Sequence, residues 1–120
     1  GFERTTARTA VEKLVSEKLV DDARYAEHFV AYHANRGQGP VRIAHRLREA
    51  GVDGEEITAA VDANGLDWRR RCAETRRKRF GEKLPATWAE RGRQARFLSQ
   101  RGYSAEQIRA AVGKVLNEDE

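Results

Sequence analysis

Methionine is absent from this chain, cysteine occurs once, proline twice, and aromatic residues fill only 8% of its 120 positions. A lone thiol, Cys72, cannot make an internal disulfide, so it suits a reducing cytoplasm and reads as a small buried hydrophobe. With two prolines, 35% charged residues and 39% hydrophobic ones, the backbone is free to form helices but lacks the apolar mass for one large core. No stretch approaches the roughly 18 apolar residues of a membrane span. No basic-then-apolar secretory start is visible either. A chain that opens on Gly1 without methionine reads as a piece of a longer or processed one, so that second absence carries little weight.

What is present is charge, unevenly spread. The net charge is +4. Residues 1–66 carry nine basic and eleven acidic groups, residues 67–80 seven and two, and residues 81–120 seven and six. One helix-length segment therefore holds the whole positive excess.

A repeat emerges when glycines are aligned. GFERTTARTAV (Gly1–Val11), GVDGEEITAAV (Gly51–Val61) and GYSAEQIRAAV (Gly102–Val112) each place a bulky apolar residue after the glycine, namely Phe2, Val52 or Tyr103. Ala7/Ile57/Ile108, Ala10/Ala60/Ala111 and Val11/Val61/Val112 then fall in register, with the spacing of one helical face. The glycines at 1, 51 and 102 stand 50 and then 51 residues apart. Upstream, IAHRLREAG and QARFLSQRG match Ala44 to Ala95 and Leu47 to Leu98, and the first unit lacks this helix, so the chain begins in mid-repeat.

This pattern predicts an all-α fold of seven helices and no strand. Tandem three-helix repeats of about 50 residues would stack into an elongated curved array, because short amphipathic helices must bury their faces against neighbours. The expected boundaries are a partial first repeat at 1–36, a second at 37–80 and a third at 81–120. In the second, a helix over Val41–Ala50 turns Ile43, Leu47 and Ala50 inward and ends at Gly51, a second spans Gly54–Ala63 behind an Asp53 cap, Asn64-Gly65 interrupts, and a third runs from Asp67 to Phe80 before Gly81. Tyr25, Phe29 and Tyr32, on a helix that starts at Asp21-Asp22, have core spacing. Trp88, Ala95 and Leu98, and then Ile108, Ala111, Val112 and Val115, would do the same for the third repeat.

The Gly37-x-Gly39 spacing resembles a phosphate loop, but such loops follow a buried strand, and the P-loop ends in Gly-Lys-Ser/Thr. Here a helix precedes and Pro40-Val41 follows. Gly37 therefore reads as a helix stop, and Pro40 as a residue of the next helix's first turn. His28 and His33 stand about 140° apart on a helix, too far to share a metal; His33, beside Phe29 and Ala26, reads as a partly buried, hydrogen-bonded imidazole. No nucleophile–base pairing is visible, so no active site, metal or cofactor is expected. LREAGVDGEEI has a helix-turn-helix look, but Leu47 and Leu98 occupy the position that motif keeps small. The second helix also opens on Asp53, Glu55 and Glu56, which phosphates would repel.

WRRRCAETRRKRF (Trp68–Phe80) carries the strongest functional signal. Arginine forks suit phosphate or carboxylate. The residues expected to bind are Arg69, Arg70, Arg71, Arg76, Arg77, Lys78 and Arg79, with Arg36, Arg42 and Arg46 extending the track.

LVDDARYAEHFV (Leu19–Val30), RGQGPVRI followed by LREAGV (Leu47–Val52), the Phe80-Gly81 ending and FLSQRGYS (Phe97–Ser104) together resemble the RecX family of regulators of the recombinase RecA. The resemblance runs from Gly1-Phe2 to about Val112. It departs at Gln38, where a basic residue is common, and at the missing first helix. It implies tandem three-helix repeats and a non-enzymatic role; the chain is otherwise expected to be a cytoplasmic monomer without a membrane or cofactor. The implied partner is the RecA filament on single-stranded DNA, whose recombination, strand exchange and ATP hydrolysis such proteins modulate, here in the inhibitory direction. The family offers no fixed ligand positions to carry over, so the contact residues rest on charge alone. The rival expectation is a general single-stranded nucleic-acid-binding helical repeat; core-spaced aromatics argue against binding by base stacking.

Overall fold

The structure, a computed structural model, describes residues 21–63 and 66–113, and among these it contains six helices and no strand. Helix α1 occupies residues 21–35. It is followed by α2 (Pro40–Glu49), α3 (Gly54–Asp62), α4 (Trp68–Phe80), α5 (Trp88–Arg101) and α6 (Ala105–Val112). The seventh expected helix, with Phe2 and Val11, lies outside the described residues, as do Asn64-Gly65 and Val115.

Three helices end in one way. After α1, Gly37 takes φ +83°, its N–H donates to Ala34 O at 3.0 Å, and Gln38 N–H reaches His33 O at 3.0 Å. After α2, Gly51 (φ +88°) and Val52 donate to Arg48 O and Leu47 O, both at 3.0 Å. After α5, Gly102 (φ +98°) and Tyr103 donate to Ser99 O and Leu98 O at 3.0 and 3.2 Å. Paired bonds around a left-handed glycine satisfy the last carbonyls of a helix and turn the next apolar residue back onto the core. Val52 and Tyr103 are buried accordingly. The sequence repeat is thus a repeat of helix endings.

Helix starts are more varied. Asp67 caps α4 by accepting from Arg70 N–H at 3.1 Å, Thr87 caps α5, and Ser104 with Gln107 forms a reciprocal capping box on α6. Asp53 holds the cap position of α3 without a side-chain bond, so there it acts only as a negative charge near the helix dipole. Pro40 is the first residue of α2, where its missing N–H costs nothing.

Apolar burial divides into two clusters. Ala26, Val30 and Ala34 of α1 meet Ile43 and Leu47 of α2, and Val52, Ile57 and Ala60 in and before α3. Cys72 of α4 meets Leu98, Tyr103, Ile108, Ala111 and Val112. The cores therefore group α1–α2–α3 and α4–α5–α6 into tandem three-helix units, and the boundary expected before residue 37 falls inside the first cluster. Burial alone pushes the Cys72 thiol up to about 12, which leaves it an inert hydrophobe.

Several residues expected inward face out. Tyr25 and Tyr32 are 46% and 54% exposed, because small Ala26, Val30 and Ala34 let α1 lie close on its neighbours and rotate the large rings outward. Trp88 is 62% exposed at the start of α5, and Ala50 is exposed at the end of α2.

Two features lock the units together. Trp68 packs on both clusters and donates Nε1–H to Val61 O at 3.1 Å. At the other contact Gly39 N–H donates to Arg101 O (2.8 Å) and Val41 N–H to Gly102 O (2.9 Å). A Cβ on Gly39 would lie 2.4 Å from the Gly102 carbonyl, and one on Gly102 would lie 2.2 Å from Arg42 Cβ. The Gly-x-Gly loop exists for this approach. Its N–H groups serve carbonyls at the ends of α1 (from Gly37 and Gln38) and α5 (from Gly39) and are not free for a phosphate.

Candidate functional site

The ten cations singled out by sequence have different fates. Arg76 is 3% exposed, so it is not a partner contact. Its NH2 donates to Gly81 O at 2.9 Å, and its NH1 to Lys83 O at 3.2 Å and Gln94 Oε1 at 3.4 Å. The guanidinium turns inward because the chain leaving α4 presents unpaired carbonyls that a five-donor fork can satisfy. Arg69 pairs with Glu106 of α6, Arg70 with Glu74 at 3.3 Å, and Arg77 with Glu82 at 3.8 Å. These are exposed pairs, of the kind worth about 0–1 kcal/mol, so they can exchange for a stronger anion. Arg42 donates to Gln100 O at 3.2 Å across the unit boundary, and Arg46 lies 5.9 Å from the Phe29 ring centre.

The remaining four converge. The end of α1 (Asn35, Arg36), the flank of α4 (Arg71, Glu74, Thr75, Lys78, Arg79) and the face of α5 (Phe97, Arg101) line an open cleft of about 460 Å³. Arg71 NH1 donates to Asn35 Oδ1 at 3.0 Å, tying α4 to α1. Thr75 Oγ1 lies 2.8 Å from the hydroxyl of Tyr103, whose ionisation burial opposes. Arg79 and Arg101 stand 5.4 and 5.1 Å from the Phe97 ring centre. Beyond that ring a second hollow of about 230 Å³ is lined by Arg79, Phe80, Arg93, Arg96 and Gln100. Arg79 and Phe97 border both hollows, so the two form one trough over α4 and α5.

The α5 arginines were missed in the sequence. Positions 93, 96, 97, 100 and 101 fall on one helical face, a signal hidden by the even charge balance of residues 81–120. Among the described residues Arg36, Arg71, Lys78, Arg79, Arg96 and Arg101 form no ion pair with a carboxylate. Glu74, engaged by Arg70, is the one acid among the described residues that line the larger cleft, and Arg93 of the smaller hollow pairs with Glu90 at 2.7 Å. Such a trough attracts extended polyanions or acidic protein surface, and its guanidinium forks supply bidentate bonds.

Comparison with known proteins decides the lineage. The family model described as the RecX second three-helix domain matches residues 21–61, and the RecX third three-helix domain matches residues 69–112. The chain belongs to the RecX family. A Regulatory protein RecX of Halorhodospira halophila is 43% identical over 120 residues, all of this chain and 74% of that protein. One of Pseudomonas fluorescens (strain SBW25) is 39% identical over 108 residues, 90% of this chain and 70% of its own length. One of Stenotrophomonas maltophilia is 40% identical over 112 residues, 93% and 69% of the two chains. The RecX domain limits coincide with the two apolar clusters, α1–α3 and α4–α6. As a member of a family of regulatory proteins, the chain has a regulator's role. Among the described residues no helix is long and apolar enough to cross a membrane.

Proposed function

We propose that this RecX-family chain is a non-enzymatic cytoplasmic regulator that binds the groove of a RecA–single-stranded DNA filament, bridges neighbouring subunits and lowers recombinase activity. The observation that carries the reading is the trough, where Arg36 after α1, Arg71, Lys78 and Arg79 of α4 and Arg96 and Arg101 of α5, and so cations of both three-helix units, have no carboxylate partner among the described residues. A surface shared by two units suits a repeating polymer better than a small ligand. Arg36, Arg71, Lys78, Arg79 and Arg101 make the primary contacts. Arg42, Arg46, Arg69, Arg70 and Arg77 contribute charge at the rim, and Arg76 contributes only to the fold. Filament regulation of this kind needs no bond made or broken by the regulator.

The second reading, a general binder of single-stranded nucleic acid, draws on the same unpaired cations. Affinities for bare strand, free recombinase and loaded filament, measured in one buffer, separate the two. The filament should bind tightest, and recombinase ATP hydrolysis should fall as the chain is added. The triple variant Lys78→Glu, Arg79→Glu, Arg101→Glu should lose that effect while keeping its helical circular dichroism. Wild-type potency in the folded triple variant would remove the trough from the mechanism, and equal affinity for bare strand and filament would favour the second reading.

A further inference from the structure

Outside the trough, the outer edge of α1 carries four rings, one of which, Phe29, also packs against the first apolar cluster. Positions 25, 29, 32, 33 and 36 fall within about 100° of arc on a helix. Tyr25 and Phe29 have ring centres 5.7 Å apart, Phe29 and His33 4.2 Å, and Tyr32 and His33 5.0 Å, so the four rings form one continuous stripe. The two tyrosines are its exposed members, while Phe29 and His33 are half-buried beneath them.

Cations border the stripe. Arg36 stands 4.4 Å from the Tyr32 ring centre, and Arg46 of α2 stands 5.9 Å from that of Phe29. The imidazole of His33 registers the same field: its pKa is lowered first by burial and then by Arg46, Arg36 and Arg42. Among the described residues, none of these three arginines pairs with a carboxylate. Arg36 also lines the large cleft, so the stripe and the trough meet at one side chain.

We propose that the Tyr25–Phe29–Tyr32 edge of α1 is a base-stacking platform for single-stranded nucleic acid, continuous through Arg36 with the phosphate-binding trough. A strand presents a π-face at every base and a negative charge at every phosphate. The stripe presents the complement of both, exposed phenol rings flanked by unneutralised guanidinium groups. A protein surface would have to supply a buried carboxylate for each arginine to avoid a desolvation penalty, whereas a strand carries its anions in series. The proposal rests on the strand half of the functional reading above and not on the recombinase half.

The test uses the full chain, an oligothymidylate, an abasic strand of the same length, and polyglutamate as a protein-like polyanion, all at one salt concentration. The wild type should bind the thymidylate at least about five-fold tighter than the abasic strand, the lower end of what one stacked base contributes. Tyr25→Ala with Tyr32→Ala should abolish that preference and leave abasic binding unchanged, and Tyr32→Phe should retain it. Lys78→Glu with Arg79→Glu should weaken both strands alike, which distinguishes failure of the trough from failure of the platform. Equal binding of both strands by the wild type would overturn the platform. So would a tyrosine effect seen with polyglutamate and not with the thymidylate. Because both tyrosines are exposed, their removal should leave the fold intact, which circular dichroism verifies.

Discussion

Removing the Arg76 side chain would leave the carbonyls of Gly81 and Lys83 and the amide of Gln94 without their shared donor. Charge-assisted bonds of this kind contribute about 1.5–3 kcal/mol. Arg76→Ala should therefore lower unfolding stability by roughly 2–3 kcal/mol, whereas Arg70→Ala, on the exposed side of the same helix, should stay within about 0.5 kcal/mol; urea midpoints read both. Helical phase separates the two arginines, setting Arg76 one turn from Cys72 and Arg70 on the other side, but it does not show that unpaired carbonyls wait beside Arg76. Cys72, with its thiol pushed up to about 12 by burial, should resist alkylation near neutral pH until denaturant is added. His33 is legible in part: the expected burial beside Phe29 is present, but among the described residues its Nδ1 has no hydrogen-bond partner. Its pKa is held below the usual 6.5 by burial first and then by Arg46, Arg36 and Arg42. A folded value below the unfolded one favours the neutral imidazole in the fold. That contribution is present above about pH 6.5 and is lost as pH falls through 6.5 and then through the lower folded value. His33→Gln should remove this part of the acid sensitivity in urea midpoints measured across pH.

At the scale of elements, glycines do two different things. Gly92 lies exposed inside α5, and among the described residues nothing stands within 4 Å of where a Cβ would lie, so Gly92→Ala should raise stability by about 0.5–1 kcal/mol through helix propensity. Gly39→Ala would drive a methyl into the Gly102 backbone, a clash of the overpacking kind that costs about 1–3 kcal/mol. Because that contact lies between the three-helix units, the loss should fall on their coupling, and calorimetry should show one transition broadening into two. The helix-stopping role of Gly37, Gly51 and Gly102 was readable from spacing. The second role of Gly102, as the surface against which Gly39 lies, was not, since the partner glycine is distant in the chain.

Across the whole molecule, binding by the trough should be strongly salt-dependent. Single-strand affinity falls with a log–log slope of about −0.7 for each neutralised phosphate. Lys78→Ala should make that slope shallower by about 0.7, while Arg76→Met, if it folds, should leave it unchanged. Titrations of the oligothymidylate at several salt concentrations check both. An equal loss of slope at the two positions would contradict the assignment of Arg76 to the fold and Lys78 to the surface.

The sequence by itself determined the helical class, the period near 50 residues, the left-handed helix endings and the concentration of charge in α4. These are local properties, set by a residue's own conformational range and by periodicity along one helix. Tertiary structure alone decided which helices share a core, that the aromatic edge of α1 faces outward, that Arg76 serves the fold, and that arginines of α5 complete the trough begun by α4. Those outcomes depend on distances between segments far apart in the chain. Ala26, Val30 and Ala34 can lie against α2 and α3 more closely than Tyr25 and Tyr32 could, and close packing of small residues decided the rotation of α1 that core spacing alone had assigned to the larger rings.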